Sequence, residues 1–124
     1  MSDAKKIVLA EDNSIFLLLL KFRLEKEGYK ILTAVDGKEA IELIEEHSPE
    51  LILTDIMMPF ISGLDIVNKV KIELKLNIPI IILSAVGLEK TVLQAFKLGA
   101  DDFITKPFSP NELLVRIKRL LLKK

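Results

Sequence analysis

The sequence contains no cysteine, so the chain can form neither disulfide bonds nor thiolate metal sites. It also carries no excess of charge of either sign. Lys and Arg together number 18, as do Asp and Glu, which gives a formal net charge of +0 at pH 7. A chain without a basic excess lacks the attraction that drives non-specific binding to nucleic acid or anionic membranes. We therefore expect no direct nucleic-acid partner.

Long apolar runs are missing as well. No apolar stretch approaches the roughly 20 residues that cross a bilayer, and the first residues do not form the core of a signal peptide. These absences predict a protein without a membrane segment, and the lack of cysteine is compatible with a cytoplasmic location. Half of the 124 residues are apolar, which is enough to bury a core without cross-links. Residues 1–124 are therefore predicted to form a single domain.

Five short apolar runs are candidate strands. Their apolar residues are continuous instead of alternating with polar ones, which is typical of strands in a parallel sheet that helices cover on both faces. The runs, with the weakest given last, are Ile7–Ala10, Leu51–Leu53, Ile80–Leu83, Phe103–Ile104 and Lys30–Val35.

Helix-terminal signals stand between these runs. Asp36 and Glu39 resemble a capping box at the start of the second helix, and Pro110 occupies the first position of the fifth. Gly28 and Gly99 follow the first and fourth amphipathic segments, as glycines do at helix ends. The alternation of five strands with five helices predicts a doubly wound α/β sheet with right-handed crossovers.

Polar residues follow four of the predicted strands directly. Ligands of an open parallel sheet bind beyond the carboxyl ends of its strands, so these residues are candidates for one site. In chain order they are Glu11 and Asp12, then Asp55, then Ser84, and finally Lys106.

The chemistry of this set indicates a phosphate site with a hard metal ion. Three neighbouring carboxylates resist joint ionisation unless a cation lies among them. Oxygen ligands without histidine or cysteine select an ion such as Mg²⁺. Lys106 adds a positive charge and Ser84 a hydroxyl, and such groups stabilise phosphoryl oxygens as they gain charge during transfer.

The same residues lie in motifs that resemble the receiver domain of two-component response regulators. The resemblance extends over essentially the whole chain, and the joint spacing of the motifs is highly specific. The matching segments are Glu11–Asp12, Thr54–Pro59, Ser62–Gly63, Leu83–Ala85 and Gly99–Phe108.

The resemblance implies a fold and a signalling function. The fold is a flavodoxin-like doubly wound (βα)5 sandwich of three layers, with a five-stranded parallel sheet in the order 2-1-3-4-5. The function is to accept a phosphoryl group, in a reaction that requires Mg²⁺, from the phosphohistidine of a sensor histidine kinase or a histidine phosphotransfer protein. Such a domain catalyses only its own phosphorylation and dephosphorylation, so it is not an enzyme with a separate substrate.

The resemblance also assigns the acceptor and the metal ligands. Asp55 matches the phosphoacceptor, Asp12 a direct metal ligand, and Glu11 an acid that usually acts through water. The main-chain carbonyl of Met57 matches the remaining protein ligand. Many receivers have two Asp where this sequence has Glu11 and Asp12. The longer Glu side chain affects only the geometry with which the metal is coordinated.

Four further positions match the part of the family pattern that responds to phosphate. Ser84 and Lys106 match the pair that binds the phosphoryl oxygens, and the Lys106–Pro107 bond matches a peptide bond that is typically cis. Phe103 matches the aromatic switch, where a phenylalanine packs without the hydroxyl of the more usual tyrosine. Output through a face made of the fourth helix, the fifth strand and the fifth helix is implied.

That output face raises the question of a homodimer. The segment around Asp101, Asp102 and Arg116 resembles receivers that dimerise through this face, and these residues would make ion pairs between subunits. Val92 and Lys97 depart from the charge pattern of that subfamily. The resemblance therefore leaves a monomer and a phosphorylation-driven homodimer both open.

Three other function classes share single features with this sequence. A hydrolytic phosphatase with a nucleophilic Asp needs a second carboxylate two residues later, where Met57 stands. A flavin-binding electron carrier needs a neutral phosphate cradle where Glu11–Asn13 would repel phosphate. A degenerate receiver would have lost some of the residues Asp55, Ser84 and Lys106, all of which are present.

The first helix carries more apolar residues than one buried face requires. A projection at 100° per residue places Phe16, Leu19, Leu20 and Leu24 towards the sheet, Leu17 at the edge, and Leu18 and Phe22 away from it. We therefore expect an exposed apolar surface on this helix that contacts a partner.

Overall fold

A single parallel sheet forms the centre of the molecule. The computed structural model describes residues 4–122. Its five strands lie in the order β2-β1-β3-β4-β5, which confirms the predicted flavodoxin-like topology. The strands are β1 (Lys6–Ala10), β2 (Lys30–Ala34), β3 (Leu51–Asp55), β4 (Ile80–Ser84) and β5 (Asp102–Thr105).

A helical segment follows each strand. The α-helices are α1 (Ser14–Glu25), α2 (Gly37–His47), α3 (Gly63–Val67), α4 (Glu89–Leu98) and α5 (Pro110–Leu122). Helices α1 and α5 cover one face of the sheet, whereas α2, α3 and α4 cover the other. The result is the three-layer arrangement expected of a doubly wound fold. Within residues 4–122, no helix is both long enough and apolar enough to cross a membrane.

The two faces of the sheet explain why the strands have continuous apolar sequences. Successive side chains of a strand point to opposite faces. Ile7 and Leu9 pack with α1 and α5, whereas Val8 and Ala10 pack with the helices on the other face. All four are fully buried. Both faces are covered, so every position of β1 after Lys6 is apolar, and the first polar residue is Glu11, directly after the strand.

Side chains cap the helices where the sequence predicts helix starts. The Asp36 carboxylate accepts a hydrogen bond from the Glu39 N–H at 2.8 Å, which begins α2. The Glu39 carboxylate accepts a hydrogen bond from the Val35 N–H at 2.9 Å. In a standard capping box it would accept from the N–H of Asp36, one residue later. Ser109 caps α5 by accepting from the Glu112 N–H at 3.0 Å.

The second half of the third helical segment was not predicted. After α3 the chain continues as a π-helical segment, Asn68–Glu73, in which the Leu74 N–H reaches back to the Lys69 carbonyl at 2.8 Å. Lys71 from this segment pairs with Asp101 at 3.1 Å and is largely buried. A charged side chain therefore ties the wider turns of this segment to the loop before β5.

The orientation of α1 in the structure differs in part from the one predicted by projection at 100° per residue. Leu17, Leu20 and Leu24 are buried against the sheet, whereas Leu19 is 66% exposed. Leu17 was expected at the edge and Leu19 at the sheet, so both assignments were wrong. Residues 15–20 are all apolar, so their periodicity does not select one face, and packing against α5 and β1 decides it. Leu18 is exposed, as expected.

Candidate functional site

The ends of four neighbouring strands bring the predicted site residues together. The sheet register aligns Ala10 of β1 with Thr54 of β3, Asp55 with Leu83 of β4, and Ser84 with Thr105 of β5. Residues at or just after these positions therefore reach the same edge of the sheet. This edge is the carboxyl end of the strands, where a doubly wound sheet binds ligands.

Three carboxylates form a cluster at this edge. Glu11, Asp12 and Asp55 each offer one oxygen, and these oxygens all lie within 4.8 Å of one another. Glu11 is buried with 1% of its surface exposed, Asp55 is partly buried, and Asp12 is exposed. An all-oxygen set with an open side suits Mg²⁺, which keeps several water ligands and is bound by few carboxylates. The donor set therefore fits the predicted ion.

Lys106 reaches this cluster from the loop after β5. Its ammonium lies 2.7 Å from Glu11 Oε1 and 3.4 Å from Asp55 Oδ2. The backbone N–H of Lys106 donates a hydrogen bond to the Ser84 carbonyl at 2.7 Å, which ties the loop to the end of β4. The Lys106–Pro107 peptide bond is cis. The lysine thus places a positive charge between two of the three acids.

The environment of Glu11 opposes its ionisation. Burial raises the pKa of this carboxyl above its ordinary value, and the nearby Asp55 charge acts in the same direction. The hydrogen bonds from Lys106 and from the Asn13 N–H, the latter at 3.0 Å, lower the pKa and offset part of that rise. The ionised form of a buried carboxylate beside a second acid is stabilised by further positive charge nearby.

Both carboxylate oxygens of Asp55 have partners that fix their orientation. Oδ1 accepts a hydrogen bond from the Met57 N–H at 3.3 Å, and Oδ2 faces the Lys106 ammonium. The Thr54 hydroxyl donates to the Asp55 carbonyl at 2.9 Å. The Asp55 side chain keeps 14% of its surface exposed, so it is held in place but can be reached from solvent.

The loop after Asp55 depends on a glycine. A Cβ at Gly63 would lie 2.6 Å from the Asp55 carbonyl oxygen and 2.7 Å from the Ile56 Cα. The Gly63 N–H donates to the Ile56 carbonyl at 2.9 Å. A reciprocal capping box between Ser62 and Asp65 then begins α3. This box was not predicted, although a serine followed three residues later by an acid is its signature.

Ser84 and Phe103 lie on either side of a small cavity. Ser84 is buried, and its hydroxyl donates to the Ala85 carbonyl at 3.0 Å. The Phe103 ring packs edge-on against Phe96 with ring centroids 5.9 Å apart. The cavity has a volume of about 240 Å³ and is also lined by Val92 of α4. This partly open space therefore lies between the end of β4 and the side chains of α4 and β5.

An aromatic ring of α1 also reaches the site, which was not predicted. Phe16 was placed only against the sheet. Its ring centroid lies 4.6 Å from the Lys106 ammonium and 5.8 Å from the Phe108 ring, which meets it edge-on. No local motif reveals this contact, because it joins residues that are 90 positions apart in the sequence.

The residues expected to make ion pairs between subunits are paired within the chain. Asp102 accepts from Arg116 at 2.8 Å and from Arg119 at 3.1 Å. Asp101 pairs with Lys71 at 3.1 Å, and Val92 is buried. A homodimer through α4, β5 and α5 stays a prediction, and it would have to share the arginines that Asp102 already holds.

Known proteins identify this arrangement. Residues 7–118 match the family described as the response regulator receiver domain. The chain belongs to this family. It is 39% identical over 117 residues to the alkaline phosphatase synthesis transcriptional regulatory protein PhoP of Bacillus subtilis, and the match covers 94% of this chain. It covers 48% of PhoP, so the chain spans about half the length of that relative.

Solved receiver structures have the same fold. A response regulator receiver domain protein from Clostridium thermocellum superposes with a TM-score of 0.89 at 31% identity and covers 94% of each chain. The Francisella response regulator 1452 receiver domain superposes with a TM-score of 0.86 at 34% identity, over 94% of this chain and 96% of that one. The chain is thus a receiver domain of a two-component response regulator, which is a signalling protein.

Proposed function

We propose that this receiver domain accepts a phosphoryl group on Asp55, in a Mg²⁺-dependent reaction, from the phosphohistidine of a sensor histidine kinase or a histidine phosphotransfer protein. The observation that carries the proposal is the position of Asp55, whose carboxylate faces both the acid cluster and the Lys106 ammonium while remaining accessible. Family membership makes a histidine kinase the expected class of partner.

The reaction is a transfer between two nucleophiles. A carboxylate oxygen of Asp55 forms a bond to phosphorus, and the phosphorus–nitrogen bond of the donor breaks, with its electron pair remaining on the imidazole. Glu11, Asp12, Asp55 and the Met57 carbonyl are the groups that would hold Mg²⁺. The bound ion would supply positive charge that stabilises the phosphoryl oxygens.

The remaining groups of the site orient and stabilise the transferred phosphoryl group. Lys106 provides a positive charge on the side of Asp55 Oδ2, and the Met57 N–H holds Oδ1. This fixed orientation lowers the entropic cost of bringing acceptor and donor together. The domain also catalyses loss of its own phosphoryl group by water attack, and it acts on no separate substrate.

Phosphorylation would be transmitted to the face of α4, β5 and α5 through Ser84. Its hydroxyl now donates to the Ala85 carbonyl, and rotation towards a phosphoryl oxygen would free the adjoining cavity. Phe103, which is partly exposed and lines the same cavity, could then turn inwards. Such a change shifts an equilibrium between two packings of this face.

The donor protein would contact the exposed apolar surface of α1. This surface consists of Ile15, Leu18, Leu19 and Phe22, each more than 60% exposed. It begins just after Asp12, beside the site, so a protein that brings a phosphohistidine to Asp55 comes close to it. Exposed apolar clusters of this kind are typical of protein interfaces.

The alternative within the family is a receiver that binds partners without phosphorylation. Asp55, Ser84 and Lys106 are all present, and Lys106 contacts two acids of the cluster. A chain without phosphoryl chemistry would have no functional reason to keep a buried Glu11 beside Asp55, since burying a carboxylate is costly.

The decisive experiment measures labelling of Asp55. The chain is incubated with acetyl phosphate with and without Mg²⁺, and its intact mass is determined. We expect a gain of one phosphoryl group only with Mg²⁺, and none in Asp55→Asn. Asp101→Asn is a matched control, because this residue pairs with Lys71 outside the cluster. Stoichiometric labelling of Asp55→Asn, or none in the folded natural chain, would contradict the proposal.

A further inference from the structure

The Lys106 ammonium has three neighbours of different chemical kinds. Two are the carboxylates of Glu11 and Asp55, at 2.7 and 3.4 Å. The third is the ring of Phe16, whose centroid lies 4.6 Å from the nitrogen. An ammonium within about 6 Å of a ring centroid is attracted by the negative charge of the ring face. The lysine is therefore held from the carboxylate side and from the α1 side.

The Phe16 ring is itself held in position. The edge of one ring meets the face of the other in the Phe16–Phe108 pair, with an interplanar angle of 85°. Phe108 follows Lys106 by two residues, and both phenylalanines belong to the apolar layer that packs beneath α1 and α5. The pair thus links the start of α1 to the loop that carries the lysine.

We propose that Phe16 is a positioning residue for the phosphoryl site, because its ring face holds the Lys106 ammonium beside Asp55. This inference rests on the proposed function of Asp55 and extends it. Phe16 contacts neither the acceptor nor the phosphoryl group in this role and acts through the lysine alone.

A metal ion in the acid cluster makes this third contact important. The Glu11 and Asp55 carboxylates hold the lysine in the structure as described. If the same carboxylates share their negative charge with Mg²⁺, their attraction for Lys106 weakens and the two cations repel each other. The ring is not a metal ligand, so its attraction for the ammonium persists. A long lysine side chain without such a contact would lose its fixed position.

The identity of the side chain also supports an electrostatic role. An aliphatic residue at position 16 would remove water from the ammonium without providing any compensating interaction, which is unfavourable. An aromatic ring provides the compensation through its face while still packing with the apolar layer. Phe16 meets both requirements, because its ring contacts Phe108 in an edge-to-face pair and also lies beneath the Lys106 ammonium.

The test changes the charge distribution of the ring with little change in its size. Phe16 is replaced by phenylalanines with one, two and three ring fluorines, which progressively weaken the negative ring face. We expect the rate of Asp55 labelling by acetyl phosphate with Mg²⁺ to fall stepwise, reaching about fivefold with three fluorines. This corresponds to about 1 kcal/mol, at roughly 1.4 kcal/mol for each tenfold change.

The same fluorine series at Phe60 is the matched control. Phe60 is 99% exposed, so a change in the charge distribution of its ring alters no packed contact, and the labelling rate should not change. If the Phe16 series has no effect on the rate, or if the Phe60 series slows it equally, the inference is wrong.

A second measurement is independent of phosphorylation. The side-chain methylene protons of Lys106 next to the ammonium should show an upfield ring-current shift in NMR spectra, with and without Mg²⁺, and Phe16→Leu should remove it. Absence of this shift in the natural chain would overturn the inference even if labelling proceeds normally. Conversely, a normal ring-current shift in a chain that is never labelled on Asp55 would contradict the proposed function and leave the Phe16 contact established.

Discussion

The ammonium of Lys106 lies 2.7 Å from the Oε1 atom of Glu11, which is 1% exposed. This pair joins the end of β1 to the loop after β5, across the full width of the site. It also places a positive charge where the carboxylates would otherwise repel one another. The lysine therefore offsets part of the negative charge that the three acids bring together.

The first prediction concerns the metal. Mg²⁺ should raise the thermal unfolding temperature of the chain, since an ion that binds only the folded state stabilises it by mass action. The rise should be much smaller in Asp12→Asn and in Asp55→Asn, each of which removes one charge from the cluster. Equal stabilisation of the natural chain and both variants would show that the ion binds elsewhere.

The second prediction separates labelling from its transmission. Lys106→Ala should still accept some phosphoryl group from acetyl phosphate, because Asp55 and the metal ligands remain. The response of backbone amide NMR signals across residues 84–105 should be lost, because the ammonium that faces Asp55 Oδ2 from the loop after β5 is removed. Amide responses of the same size in the natural chain and the variant would contradict this coupling.

The third prediction concerns the partner surface on α1. Leu18→Lys should slow phosphoryl transfer from the cognate histidine kinase about tenfold, because it places a charge in an exposed apolar cluster. Labelling by acetyl phosphate should stay near normal. Val115→Lys on α5 is a matched control, since Val115 is similarly exposed on another helix. An equal loss with both donors would indicate misfolding instead of impaired docking.

The fourth prediction concerns the loop after the acceptor. Gly63→Ala should destabilise the chain by about 1–3 kcal/mol, the range typical of overpacking at a close contact. The added methyl group would overlap the Asp55 carbonyl oxygen, so labelling should also slow. Chemical denaturation measures the free energy of unfolding, and an unchanged value would mean that the loop can move aside.

The fold and the location of the site could be predicted because local patterns specify them. Continuous apolar strands, helix caps and strand-terminal polar residues are each visible in short segments, and parallel topology then brings Glu11, Asp55 and Lys106 to one edge. The side of α1 that packs against the sheet could not be predicted, because Leu17 and Leu19 are equally apolar and only tertiary packing distinguishes them. The Phe16–Lys106 contact was missed for a related reason, since no sequence pattern connects two distant residues.

The fifth prediction starts from the surroundings of the acceptor. Hydrolysis of an acylphosphate needs a water molecule in line with the bond to the Asp55 oxygen, and a polar side chain nearby can orient that water. The family resemblance places the residues two positions beyond Asp55 and two beyond Ser84 beside the path of this water. Here they are Met57 and Val86, which are 56% and 78% exposed. They are therefore not buried in neighbouring loops and are free to cover the acceptor.

Neither Met57 nor Val86 can position a water molecule by hydrogen bonding, and both present apolar surface, so we expect a long-lived phosphorylated form. Replacing Met57 by Asn and Val86 by Glu together should accelerate dephosphorylation about tenfold, which corresponds to a barrier lower by about 1.4 kcal/mol. The decay of the labelled chain, followed by intact mass after removal of acetyl phosphate, measures this rate. Because both side chains are exposed, the double substitution should leave the unfolding temperature nearly unchanged, so an unaltered decay rate in a folded, fully labelled variant would mean that other groups determine the lifetime.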